Sequence, residues 1–237
     1  FLSKKAEYKV RLLYKEEIRT CGKDAKNIVS LGTAGFVMQL TNSLVSICCN
    51  NVLSATGGDV YVSVMTIISS VRQMIETPIW SISEGSSPVI SYNYGAKRPK
   101  KVIEAWITMS VLALIYSLIA WSVILFAPKF LIGIFSSDKS LMIDTVPAMK
   151  LYFSAFIFML FQYTGQTMFK SLNKKKQAIF FSILRKVIIV VPMTYMFPYV
   201  FHMGSNGVFM AEPVSNVIGG SLCFIVMLLT VLPELKQ

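Results

Sequence analysis

Three ionisable side chains interrupt an apolar stretch between residues 60 and 92, and they are the side chains of this sequence best placed to do chemistry. Arg72, Glu76 and Glu84 stand at successive spacings of four and eight, so a helix presents them on one broad face. An ionisable side chain inside a bilayer costs about 2.5–3.5 kcal/mol, so it persists where it has a partner or meets water. Arg72 and Glu76 therefore form a neutralised packing pair, or else Glu76 or Glu84 binds a proton or a cation.

A polar stripe precedes these charges in the sequence. Gln39, Ser43, Ser46 and Asn50 follow offsets of four, seven and eleven residues and form one helical face, with Asn42 beside it. Such a stripe serves either hydrogen bonding between helices or the wall of a water-filled cavity, and its continuity favours the cavity. The other candidates for this predicted cavity are a soft thioether and two amides: Met38, Gln162 and Gln166.

The elements that must position these residues are membrane spans. Of the 237 residues 54% are apolar and only 15% are charged, against roughly 25% charged in soluble domains. A spanning helix needs about 20 mostly apolar residues. Six stretches qualify, and the predicted fold class is an all-α integral membrane lobe of six transmembrane helices. The predicted spans are 31–53, 60–90, 103–126, 147–170, 178–201 and 208–232.

The basic residues predict the orientation of these spans, because they stay on the cytoplasmic side. Nineteen lie beside the predicted inner ends, with Arg185 and Lys186 counted among them, and three lie on the other side. Both termini are therefore predicted to be cytoplasmic, in an inner membrane. The net charge of +11 is explained by the negative inner leaflet, which makes the bilayer and not nucleic acid the partner. The predicted domains are a basic connector at 1–27, the membrane lobe at 28–233 and a tail at 234–237.

Motifs of soluble catalysis are absent from the sequence. It contains no GxxxxGK[ST] phosphate loop, no paired histidines for zinc and no GxSxG nucleophile elbow. The four cysteines have no metal-binding spacing. The sequence therefore predicts no enzyme, no cofactor and no bound metal, and a transporter of this kind takes its energy from an ion gradient or a partner.

One motif resembles a known family. The segment from Glu84 to Lys97 is similar to the G-x-x-P-x-x-x-x-N-x-G-A signature of the multidrug and toxic compound extrusion (MATE) family. Three further stretches are similar to the second half of that family, at 31–40, at 162–166 running on to Arg185 and Pro192, and at 211–213. The residues that match the signature are Gly85, Pro88, Asn93, Gly95 and Ala96, and the last stretch contributes Glu212 and Pro213.

The resemblance implies a twelve-helix antiporter made of two pseudo-symmetric six-helix lobes. This chain would be its C-terminal lobe, and the N-terminal lobe would be a partner that lies outside the chain. Family members exchange protons or sodium for small organic cations. The candidates for ion coupling are Glu76, Glu84 and Arg72, because they are the ionisable side chains inside the second predicted span. Glu212 lies nearer the outer end of its span, which favours a capping or structural role. Glu84 departs from the family pattern, which often has glutamine there.

Two alternatives stay open. A lipid-linked sugar flippase of the same superfamily would need several cations in its cavity, and the sequence places only Arg72 in the core of a span. The other alternative is a membrane scaffold that does not transport, against which the polar stripes argue weakly.

Overall fold

The computed structural model describes residues 22–236, so residues 1–21 of the predicted connector and Gln237 of the predicted tail lie outside it. Chain contacts divide the molecule into two units, Phe1–Val37 and Met38–Gln237. The described part of the first unit, residues 22–37, is helical. The hydrophobic cores and the candidate site lie in the second unit. Side chains left undescribed are those of Lys23, Asp24, Lys26, Asn27, Ile28, Ser30, Leu31, Ala34, Gly35, Met38 and Lys236.

The described residues form helices and no strand. Two of the segments are π-helical and continue directly from the α-helix before them into the α-helix after them. The helices are α1 (Gly22–Gly95), α2 (Pro99–Phe126), α3 (Pro128–Phe135), α4 (Lys139–Tyr152), α5 (Phe156–Ser171), α6 (Lys175–Ile183), π1 (Leu184–Val190), α7 (Val191–Tyr199), α8 (Ser205–Ser215), π2 (Asn216–Gly220) and α9 (Ser221–Lys236).

Helix α1 is divided into two limbs at Gly58. This residue has φ 70° and ψ −170°, a conformation open to glycine because it has no Cβ. In a straight helix Cys49 and Arg72 would lie about 35 Å apart, at 1.5 Å per residue. Both instead reach the same neighbourhood: the Cys49 thiol lies 3.7 Å from the Thr194 hydroxyl, and Arg72 contacts Glu212. The two limbs therefore fold back onto one shared core.

The outer surfaces of the helices are apolar, as a bilayer requires. Helix α2 buries one face, which includes Met109 and Ala113, while Leu112, Leu118 and Ile119 remain exposed on the other. A helix that is hydrophobic all round is typical of a membrane span. By length and composition, four helical runs among the described residues are able to cross a membrane: Gln39–Gly95, Pro99–Phe126, Lys175–Tyr199 and Ser205–Leu235.

A fifth crossing is formed if α4 and α5, which meet at a bend of 51°, act as one broken span. The run Gln39–Gly95 contains 57 residues, or about 85 Å of helix, and the break at Gly58 lies inside it. The predicted fold class, an all-α lobe of long apolar helices, is confirmed. The individual span boundaries stay a prediction.

The side chain of Asp138 caps the N-terminus of α4. Asp138 accepts hydrogen bonds from the Ser140 hydroxyl at 2.7 Å and from the Ser140 backbone N–H at 2.8 Å. These two bonds lower the pKa of the Asp138 carboxyl, because they favour its ionised form. Asp138 thus satisfies a backbone donor that the first turn of a helix leaves free.

Two hydrophobic cores fill the lobe. One is centred on Phe153, Phe156 and Phe209, and the other on Phe169 and Phe181. The first core takes its residues from both limbs of α1 and from α2 to α5, π1 and α8. The second collects the ends of α1 and α5, the start of α2, α6 and the length of α9. Polar side chains are buried where the helices pass from one core to the other, and they form the candidate site.

Candidate functional site

A polar layer separates the two cores along three stretches of packed helix. On α5 it lies between Leu160 and Met168, and on α6 and π1 it lies between Phe181 and Val190. On α8, π2 and α9 it begins after Ala211. The buried polar and charged residues of this layer are Gln162, Thr164, Gln166, Thr167, Ser182, Arg185, Lys186, Glu212, Ser215 and Asn216.

The second limb of α1 adds an ion pair to this layer. The guanidinium Nε of Arg72 donates to Oε1 of Glu76, one helical turn away, and its Nη1 donates to the Tyr152 hydroxyl at 2.8 Å. The Tyr163 hydroxyl donates to Oε2 of Glu76 at 3.2 Å. Both carboxylate oxygens of Glu76 are therefore engaged, and the pairing of Arg72 with Glu76 that the i, i+4 spacing allows is present.

Glu212 is the centre of the cluster. Its Oε1 lies 3.4 Å from Arg72 Nη2, 3.3 Å from Arg185 Nη1 and 2.9 Å from Lys186 Nζ. Arg185 also donates to Oδ1 of Asn216, one turn after Glu212. One carboxylate oxygen on α8 thus contacts cations from α1 and π1. These contacts join segments that are far apart in the sequence.

The two π-helical segments shape the site. Arg185 and Lys186 lie in π1 and Asn216 opens π2, and such widened turns occur frequently at functional sites. A Cβ on Gly219 would stand 2.8 Å from Cγ of Arg185, so the glycine makes room for the stem of that arginine. A Cβ on Gly220 would stand 2.5 Å from the Phe158 carbonyl oxygen, so π2 packs on the backbone of α5.

The cluster carries a surplus of positive charge. Arg72, Arg185 and Lys186 contribute three positive charges, and Glu76 and Glu212 contribute two negative ones. The side chains of Arg185, Lys186 and Glu212 are 5–6% exposed. Burying charges costs several kcal/mol per ion unless their partners are well placed, and removal of one partner is therefore severe.

The structure corrects the sequence interpretation of Arg185 and Lys186. They were counted with the cytoplasmic flank, but they lie ten and eleven residues into the run Lys175–Tyr199 and are buried. Without them the charge count becomes seventeen against three, which leaves the bias in the same direction. The predicted span 178–201 already enclosed both, and that was the available signal. No sequence pattern indicated that Tyr152 and Tyr163 reach the cluster.

Glu84 lies apart from this cluster. It pairs with Lys170 at the end of α5, with Nζ 2.6 Å from Oε1, and both side chains are partly exposed. Close by, the hydroxyls of Ser87 and Ser171 are 2.8 Å apart. The structure therefore does not bring Glu84 together with Arg72 and Glu76, and its predicted part in ion coupling stays a prediction.

The predicted cavity residues divide into an exposed set and a buried set. Gln39, Asn42 and Ser46 are exposed, and the amide of Asn42 donates to Oε1 of Gln39 at 3.1 Å. Gln162 and Gln166 are buried beside α9 and π2, and Oε1 of the first and Nε2 of the second have no hydrogen-bond partner among the described residues. The first set lies on the surface of the lobe, and the second set is packed inside it. Their role in binding substrate stays a prediction, and the side chain of Met38 lies outside the description.

Residues of the family signature line a surface cleft. Gly85 and Asn93 from the end of α1 face Lys101 and Glu104 from the start of α2, around a cleft of about 390 Å³. Asn93 donates to the Val89 carbonyl at 2.8 Å. The remaining signature and motif residues are placed as follows: Pro88 and Gly95 are exposed, and Glu212 and Pro213 are buried.

Long helices with apolar outer faces and a buried charged layer define a multi-pass membrane protein. The MatE family model matches residues 35–196, which is more than half of the chain. The chain belongs to the MatE family, as the signature at Gly85–Ala96 predicted. Among curated proteins, none matches this chain.

Solved structures share the fold. A MATE in complex with MaL6 has a TM-score of 0.86 at 20% identity, covering 100% of this chain and 52% of its own. A MOP superfamily transporter from Pyrococcus furiosus Vc1, described by the reverse polarity of its binding pocket, has a TM-score of 0.85 at 20% identity over 100% and 52%. An outward-facing multidrug resistance MATE transporter has a TM-score of 0.82 at 20% identity over 91% and 48%. The chain spans about half the length of these structures.

Proposed function

We propose that this chain is the C-terminal lobe of a secondary-active multidrug exporter, which exchanges H⁺ or Na⁺ for organic cations by alternating access. The N-terminal six-helix lobe completes the transporter, and substrate binds between the lobes. The observation that carries the proposal is the buried cluster around Glu212, because ionisable groups inside a membrane are costly and mark ion pathways.

The proposed mechanism is competition between the coupling ion and the substrate. A proton or sodium ion that enters near Glu76 changes the charge of the cluster and weakens binding of a cationic substrate on one side of the cycle. Glu76 is supported over Glu84 because it joins the cluster through Arg72 and Tyr163. Glu84, with its partly exposed pair to Lys170, serves as a relay.

Replacement of Glu76 by glutamine tests this mechanism. In the full-length transporter, Glu76→Gln is expected to abolish gradient-driven efflux of a cationic dye while expression remains normal, and Glu84→Gln should impair efflux less. Glu104→Gln is the matched control, because Glu104 forms an exposed pair with Lys101 on the surface of α2. Unchanged efflux in Glu76→Gln would show that the Arg72–Glu76 pair is structural.

The flippase remains a second candidate because of one observation. The argument against it is that the sequence offers only Arg72 as a cation in the core of a span. The two further cations beside Glu212, Arg185 and Lys186, weaken that argument. Translocation of a short-chain fluorescent lipid-linked sugar phosphate, together with absence of cationic dye efflux, would favour the flippase. A protein that moves neither probe would be a scaffold.

The orientation of the lobe is also part of the proposal. With the native cysteines replaced, Asp138→Cys is expected to react with an impermeant maleimide from outside the cell. Lys100→Cys, in the first turn of α2, should react only after the membrane is permeabilised. The physical reason is the excess of basic residues on the inner side. Labelling of Asp138→Cys only from the inside contradicts this topology.

A further inference from the structure

We propose that Lys186 is the residue that carries the transported proton. This inference rests on the proposed function and deepens it. It names the ion that enters near Glu76 as H⁺ and its binding group as Lys186, while Glu76 keeps its negative charge as a member of the cluster. Lys186 lies near the middle of the run Lys175–Tyr199, is 5% exposed, and has its Nζ 2.9 Å from Oε1 of Glu212.

The charges around Lys186 do not balance. The charged groups that face it are Glu212 on α8, Arg185 beside it on π1, and Arg72 and Glu76 on the second limb of α1. With all five groups ionised, the buried cluster has a net charge of +1. The thiol of Cys49 on the first limb and the phenols of Tyr152 and Tyr163 on α4 and α5 complete the titratable surroundings, and all three are neutral at physiological pH.

One group in the cluster is able to remove the surplus positive charge. Arginine does not lose its proton in proteins, so Arg72 and Arg185 keep their charges. Protonation of Glu76 or Glu212 would increase the surplus. Loss of the proton from Lys186 is the one change among these groups that leaves the cluster neutral, and Glu212 then still accepts from the two guanidinium groups.

The ligands in the cluster suit a proton better than a sodium ion. A sodium ion needs several oxygen ligands, but Oε1 of Glu212 is shared by three cations and both oxygens of Glu76 have donors. The surplus positive charge also repels a metal cation. The described residues contain no group of three acidic, histidine or cysteine side chains able to hold a metal. A proton on an amine needs none of these ligands.

The proposed exchange of a cationic substrate for a proton conserves charge. A cationic substrate that binds from the cytoplasm raises the positive potential at the cluster, and Lys186 gives its proton to cytoplasmic water. The neutral lysine and the bound cation then move together through the change to the outward-facing state. When the substrate leaves, Lys186 takes a proton from outside. One cycle moves one positive charge of substrate outward and one proton inward.

The test compares two replacements of Lys186 in the full-length transporter. Lys186→Arg holds the cluster at +1 permanently, and Lys186→Met holds it neutral. Binding of a cationic dye to the purified wild type in weakly buffered solution should release about one proton per dye, and both variants should release none. Gradient-driven efflux should fall at least tenfold in both, whereas Lys186→Met should retain dye counterflow, which needs no proton. Lys139→Arg, at an exposed lysine in the first turn of α4, is the control and should behave as wild type.

Each outcome decides the matter. Proton release and efflux that survive in Lys186→Arg would show that Lys186 is only a structural counter-ion. If Lys186→Arg does not fold, then Lys186→Met decides alone, and a Lys186→Met protein that fails to fold also overturns the proposal, which requires the neutral cluster to be a stable state. A wild type that neither exports the dye nor releases protons on binding it would refute the proposed function itself.

Discussion

Replacement of Glu212 by glutamine is expected to destabilise the lobe by about 3–5 kcal/mol, one of the two largest effects predicted here. Glutamine keeps the shape of the side chain but leaves three cations, two of them buried, with Glu76 as their single anion. The loss should appear as a lower midpoint of thermal or denaturant unfolding of the purified transporter in detergent. A loss below about 1 kcal/mol would contradict the view that Glu212 holds the cluster together.

A double-mutant cycle separates this charge effect from loss of packing. Glu212→Gln combined with Lys186→Met removes one cation together with the anion, so the double variant should be more stable than the sum of the single changes predicts. An interaction free energy above about 1 kcal/mol is expected for this contacting pair. Glu104→Gln, at an exposed pair, should change stability by less than about 0.5 kcal/mol.

Replacement of Gly220 by alanine is the second change with a large expected effect. The new Cβ would meet the Phe158 carbonyl oxygen at 2.5 Å, and a backbone carbonyl cannot turn away as a side chain can. Segments π2 and α5 must therefore separate, and overpacking of this kind costs about 1–3 kcal/mol. The measurement is again the unfolding midpoint, and Gly220→Val should lower it further.

Two other glycines serve as comparisons for Gly220. Gly133→Ala on α3 should be neutral or slightly stabilising, because a Cβ there meets nothing within 4 Å and alanine favours a helix. Gly219→Ala should cost less stability than Gly220→Ala, since its Cβ meets the flexible stem of Arg185. It should instead move Arg185 and reduce dye efflux. Equal losses at Gly133 and Gly220 would show that close packing on Phe158 is unimportant.

The position of the cluster explains how a lobe can combine a fixed fold with a responsive site. Apolar packing on both sides of the polar layer holds the helices in register. The π-helical turns and small residues bring backbones close enough for Arg185 to reach Glu212 and Asn216. A change of charge at Lys186 therefore acts on α1, π1 and α8 together, which is how we expect ion binding to bias one conformation of the transporter.

Features that depend on neighbouring residues were predictable from the amino-acid sequence alone. Long apolar stretches predicted an all-α membrane lobe, because a bilayer of about 30 Å requires helices of that length and composition. The local motif from Gly85 to Ala96 identified the family. Spacing of four residues predicted that Arg72 could pair with Glu76, since one helical turn brings such side chains together.

Which charged side chains share the site depends on how distant segments of the chain pack together. Arg72, Lys186 and Glu212 come from three segments more than twenty residues apart, and no local periodicity reports that they meet at one carboxylate oxygen. Counting basic residues by their place along the chain assigned Arg185 and Lys186 to the membrane surface, whereas the packing of π1 against α8 buries them. The physical reason is that a buried charge is stabilised by a partner in space, and the partner of Lys186 lies twenty-six residues away in the chain.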